Sequence, residues 1–297
     1  MTGTKIVKLN LDGAADKLPS LKSDPVVEEA LRLYEASVFD GHVSVYRREM
    51  VDHGSKLDVS QKQLQHIVDV LEETQPEGEY LSKGGVFLTA LIQASRQDDF
   101  QLRTKRKLNF VGCSLTEGKR ITVYGDLGNN TGMHMAGGKL HILGSVGNVT
   151  GYGMEDGEIT VGGNAADGTG VGMKKGKIRI EGDVGNETGD QMGGGEIEVL
   201  GKAGDRTGVR MTGGKIRVEK DAGDETGRSM SWGAIHVRGD IGDDTGYDMT
   251  DGLIRVDGNA GEHTGQISRG GTVQVRGEIK SKAENRMCAI QQGDEIR

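Results

Sequence analysis

The chain has 297 residues, enough for one large or two small domains, with a formal charge of −8 and only 4% aromatic residues. That balance argues against a phosphate-tracking surface or a base-stacking platform, and so against nucleic acid as a partner. No run of about twenty apolar residues and no charged-then-apolar amino terminus is present, so the expectation is a cytoplasmic protein with no membrane span.

Residues 1–107 read as a small α-rich domain. Residues 5–11 alternate apolar and polar side chains, which predicts a strand. Asp24 followed by Pro25 is an N-cap with proline at the first helical position, and predicts a helix over about 25–36. His42 to Tyr46 reads as a short strand. Asp58 or Ser60 starts a second helix with Leu64, Ile67, Val68 and Leu71 on one face. Gly84-Gly85 precedes a third, more apolar helix, and the polar, basic stretch from Arg96 to Lys107 closes this part.

From Leu108 the pattern changes. After a degenerate first coil with one extra residue, Met135, Met154, Met173, Met192, Met211, Met230 and Met249 recur every nineteen residues, and eight Thr-Gly pairs from Thr131-Gly132 to Thr264-Gly265 keep the same frame. A piece this short cannot bury an apolar face alone, so the copies must stack. Two further columns, Leu140 to Val273 and Ile142 to Val275, stand two residues apart, the spacing of a strand with one face inward. Nineteen residues are too few for a strand–helix unit, which leaves a mainly β fold: a parallel β-helix of nine coils over 108–279, followed by a tail at 280–297. Glycines from Gly138 to Gly271 mark a corner with positive φ. Outward, Lys139, Glu158, Lys177, Glu196 and Lys215 alternate in sign, as do Glu219, Arg238, Asp257 and Arg276, which suits in-register stacking.

No catalytic, cofactor-binding or metal-binding residue is assigned. The column Asn129, Asn148, Asp167, Asn186, Asp205, Asp224, Asp243 and Glu262 could stack carboxylates around cations, but Asx two residues before Thr-Gly is what a turn with side-chain-to-backbone bonding requires. His141 and His236 share a column five coils apart, roughly 24 Å at the strand spacing, too far to ligate one ion. His42, His53 and His66 have no ligand spacing around them. Gly151-Tyr152-Gly153 and Gly170-Val171-Gly172 lack the strand–helix context of a dinucleotide loop. Cys113 and Cys288 read as thiols at opposite ends of the solenoid.

The coil Met-x-x-Gly-x-Ile-x-Val-x-Gly, with glycine pairs such as Gly137-Gly138 and Gly213-Gly214, resembles the GXGXG family of right-handed β-helices over about 108–279. That family includes the β-helical subunit of formylmethanofuran dehydrogenase and the carboxy-terminal domain of the glutamate synthase large subunit. The resemblance implies a rigid scaffold with no cofactor of its own, packed against catalytic subunits that carry molybdopterin, iron–sulfur or flavin groups. The methionine column looks more like the formylmethanofuran dehydrogenase protein, so the expectation is a non-catalytic subunit of an oxidoreductase of C1 metabolism. The alternatives are a glutamate-synthase-type organiser of an amidotransferase and a flavin-dependent partner, and an independent, self-assembling solenoid. A homo-oligomer is compatible with each.

Overall fold

The computed structural model describes residues 24–36, 57–74, 83–280 and 289–293. The strands expected at 5–11 and 42–46, with His42, His53 and Cys288, lie outside them. Three helices, α1 (Pro25–Ala36), α2 (Gln61–Thr74) and α3 (Gly85–Ala94), precede eleven strands. These are β1 (Asp99–Arg103), β2 (Arg120–Tyr124), β3 (Ala136–Ile142), β4 (Asp156–Val161), β5 (Lys177–Ile180), β6 (Glu196–Val199), β7 (Thr212–Val218), β8 (Trp232–Val237), β9 (Leu253–Val256), β10 (Thr272–Val275) and β11 (Ala289–Gln292). They form one parallel sheet in sequence order, the arrangement of a β-solenoid. Ten strand spacings make a rod of about 48 Å.

Each helix starts where its sequence says. Asp24 Oδ1 accepts from the backbone N–H groups of Val26 and Val27 at 3.0 and 3.4 Å. Ser60 and Gln63 form a reciprocal capping box: the Ser60 N–H donates to Gln63 Oε1 at 2.9 Å and the Gln63 N–H to Ser60 Oγ at 3.4 Å. Leu64, Ile67, Val68 and Leu71 are all buried. Helix α3 lies so close to the first coil that a Cβ on Gly85 would meet the Asn109 carbonyl oxygen at 1.9 Å. Thr89 then joins the two, its hydroxyl donating to Gly85 O and accepting from Gly112 N. The helices and the solenoid share a single hydrophobic core.

Inside the rod the seven methionines have 0% exposure, and the isoleucine and valine columns fill the space beside them. Register is strict: Ile178 pairs with Ile197 and Ile197 with Ile216, one copy of the unit apart. The corner glycines have positive φ, for example 83° at Gly214 and 105° at Gly233. The threonines of the Thr-Gly pairs are buried, with hydroxyls donating to the carbonyl three residues back, at 3.1 Å for Thr207 and Gly204. That bond removes the cost of an unpaired hydroxyl in the core.

Two stretches differ from expectation. The polar segment Arg96–Lys107 holds β1, and the tail 280–297 holds β11. Phe100 pairs with Ile121, an offset of 21, and Val273 with Ile290, an offset of 17. Both strands thus sit off the nineteen-residue frame, which hides them from a search by period. The extra residue of the degenerate coil falls between Leu115 and Ile121, and it is compensated beside Leu108. Leu108 bridges to Leu127 on the frame, whereas the Asn109 side chain already reaches Asn129.

Candidate functional site

Most of the outer sheet face is knitted by charge. Lys139 pairs with Glu158 at 2.8 Å, Lys177 with Glu196 at 3.6 Å and Arg238 with Glu219 at 2.6 Å. One column over, the hydrogen bond from Arg179 holds the Glu198 carboxyl below its ordinary range. Partial burial pushes Asp257 up, but bonds from His236 and Arg255 and the charge of Arg276 outweigh it and leave that carboxyl lowered.

This pattern stops at one place. After Lys215 the alternating column continues as Ala234, Leu253 and Thr272, which lie side by side on β8, β9 and β10. Across the corner glycines stands Trp232, 61% exposed, and Leu253 is itself 37% exposed. Together with Gly195, Gly214, Gly233, Gly252, Lys215 and Asp251 they line an open groove of about 700 Å³. The groove's floor is glycine because neighbouring coils approach too closely for side chains. A Cβ on Gly233 would meet the Gly214 carbonyl oxygen at 2.9 Å. A large exposed aromatic side chain over an apolar, backbone-floored groove is how recognition surfaces are built.

The Asx column does something other than close local turns. Each side chain reaches one coil onward: Asn129 Oδ1 accepts the Asn148 backbone N–H at 2.9 Å, Asp167 that of Asn186 at 2.8 Å, and Asp243 that of Glu262 at 2.7 Å. A second ladder, absent from the sequence-based expectations, runs through Asp126, Ser145, Asn164 and Asp183, and resumes at Asp221, Asp240 and Asn259. It breaks at Lys202, whose ammonium instead binds the Asp221 carboxylate at 2.9 Å. That bond lowers the Asp221 pKa and raises that of Lys202. Among the described residues no three His, Cys, Asp or Glu side chains gather as cation ligands.

The remaining candidates lie apart. His141 is exposed on β3, while His236 on β8 bonds Asp257 at 2.9 Å. His66 is half-buried on α2, and Cys113 is a buried thiol in the first coil. Gly151 and Gly170 are corners whose missing Cβ makes room for Ile178 and Ile197. No helix among the described residues is long and apolar enough to cross a membrane.

The chain matches no protein-family model, and no curated protein is similar to it.

Proposed function

We propose that the chain is a non-catalytic, cytoplasmic scaffold subunit of a multi-subunit oxidoreductase, most like the formylmethanofuran dehydrogenase type of C1 metabolism. The observation that carries this reading is the way the coil uses its polar side chains. Asx oxygens and opposite charges along the rod are engaged with neighbouring coils, and threonine hydroxyls with the backbone of their own coil. Such a rod holds its shape, and it offers long faces on which catalytic subunits can bury a standard interface. The coil motif supports the same reading through its resemblance to GXGXG proteins, in which cofactors belong to the partners.

The test is purification of the full chain from its own cell under mild conditions. Molybdenum and iron–sulfur absorbance should elute with it, carried by larger subunits. Flavin with a glutaminase-type subunit would replace the C1 assignment by the glutamate-synthase one. A lone chain that turns over a small substrate would overturn the scaffold reading.

A further inference from the structure

We propose that the Trp232 groove is a docking site for a proline-rich, polyproline-II segment of a partner protein, one that carries an acidic and a basic residue three positions apart. This goes beyond the scaffold reading and is tested on the isolated chain.

The groove runs along the rod. Its floor is the corner line Gly195, Gly214, Gly233 and Gly252, one glycine per coil, and so spans three strand spacings, about 14 Å. Trp232 and Asp251 each precede a floor glycine and form one wall, while Lys215, Ala234 and Leu253 each follow one and form the other. A trough of that length takes about four or five residues of extended chain laid along the rod axis. It cannot hold them as a further strand, because carbonyl groups of the floor are already used: Gly195 O accepts from the Lys215 N–H at 3.0 Å and Gly252 O from the Thr272 N–H at 2.9 Å. Recognition therefore falls to the walls. A polyproline-II segment suits this, since it needs no backbone ladder, has little conformational entropy to lose, and packs proline rings on an exposed indole.

Charge complementarity sets what the segment carries. Glu196, the neighbour of Lys215 on the preceding coil, is paired with Lys177 at 3.6 Å, and the neighbour on the following coil is Ala234. Asp251 accepts the Gly252 N–H at 2.7 Å. Among the described residues neither Lys215 nor Asp251 has an ion-pair partner. They lie two coils apart, about 10 Å along the rod, and three residues of polyproline II rise about 9 Å. An acidic side chain over Lys215 therefore sets a basic one, three positions on, beside Asp251, and the long stems of lysine and arginine take up the width of the groove. A carboxylate next to an indole favours a guanidinium in particular. The residues between pack on Trp232 and Leu253, the two large exposed apolar side chains of the groove.

Trp232 is the only tryptophan in the chain, so its emission reports on this groove. The full chain is titrated with two synthetic peptides, Pro-Glu-Pro-Pro-Arg-Pro and its reverse, Pro-Arg-Pro-Pro-Glu-Pro, which lie along the groove in opposite directions. One of them should shift the emission to the blue along a saturable, one-to-one isotherm. Replacing its two central prolines by glycine keeps the charges, loses the preformed helix and should weaken binding about tenfold. Lys215→Glu should weaken binding by a similar factor, and a peptide with arginine in place of its glutamate should restore binding to that variant alone. Circular dichroism checks that the variant is folded.

Three results would overturn the proposal. One is the lack of a saturable shift with either peptide. Another is binding indifferent to the proline-to-glycine change and to Lys215→Glu. The third is an emission shift produced by raising the concentration of the chain alone, or by a neutral oligosaccharide such as maltotriose, that neither peptide competes away; it would give the groove to a second copy or to a sugar.

Discussion

Gln61 and Gln101 exchange two hydrogen bonds: the Gln61 amide accepts from the Gln101 backbone N–H at 2.7 Å and donates to its carbonyl at 2.6 Å. One helical turn on, Gln65 treats Arg103 the same way, at 2.9 and 3.0 Å. Two side-chain amides on α2 thus stand where a further strand would pair with β1. An open sheet edge is a template for other chains, and here it is closed by a helix.

Replacing both Gln61 and Gln65 by alanine should therefore weaken folding and free the edge. The bonds are near the surface, so water replaces part of each, and the summed loss should be about 1–3 kcal/mol. Urea unfolding measures the first effect and light scattering the second. An unchanged midpoint would show that the amides do not close the edge.

The Asx ladder makes a second prediction. Glycine precedes most of its members because the previous coil's Asx oxygen occupies the space: a Cβ on Gly204 would lie 2.3 Å from Asn186 Oδ1. Ala166 is the exception, and the bond beside it, Asp167 N to Asn148 Oδ1, is stretched to 3.2 Å. Gly204→Ala should stretch its own ladder bond likewise, at a cost of about 0.5–1.5 kcal/mol. Ala166→Gly should be close to neutral, because the relaxed bond is offset by a more flexible unfolded chain. Thermal unfolding of the pair decides the matter, and a costless Gly204→Ala would show that the ladder does not need the glycine.

Met192 sits at 0% exposure in the middle of the rod. Met192→Leu nearly conserves volume and should cost less than about 1.5 kcal/mol. Met192→Asp places a charge where no partner stands and should abolish soluble, folded protein. Equal melting temperatures for the two variants would contradict an inward methionine column.

Acid should loosen the charged face in a defined direction. Glu198 has its folded pKa depressed below the usual 4.5 by the bond from Arg179. Its contribution to stability is therefore complete above 4.5 and is lost as pH falls through the folded value. Glu198→Gln should lower the melting temperature at neutral pH and change it little in strong acid, where the native carboxyl is protonated as well. Parallel curves for the two proteins over about pH 3 to 7 would mean that the pair contributes nothing.

What was legible in the sequence follows from what repeats. The inward columns and the corner glycines are copied every nineteen residues, and the caps at Asp24 and Ser60 are local signals. Strands β1 and β11 are hidden because they pair at offsets of 21 and 17. The Asx ladder is misread for a different reason: a residue that closes its own turn and one that bonds the next coil look alike until the coils are stacked. Left-handed backbone at Val149 and Arg206, with φ of 55° and 63°, has no signature in residue type. It follows from the turn those residues share with their neighbours on adjacent coils. The Trp232 face does carry a signal, since the charge column breaks after Lys215, but its meaning depends on the glycine floor that only the fold reveals.

The most direct test of the central claim, a scaffold that acts through partners, is native mass spectrometry of the full chain purified gently from its own cell. A scaffold role predicts a species containing this chain and larger, cofactor-bearing subunits in fixed ratio. Recovery of the chain only by itself, together with turnover of a small substrate by that material, would contradict it.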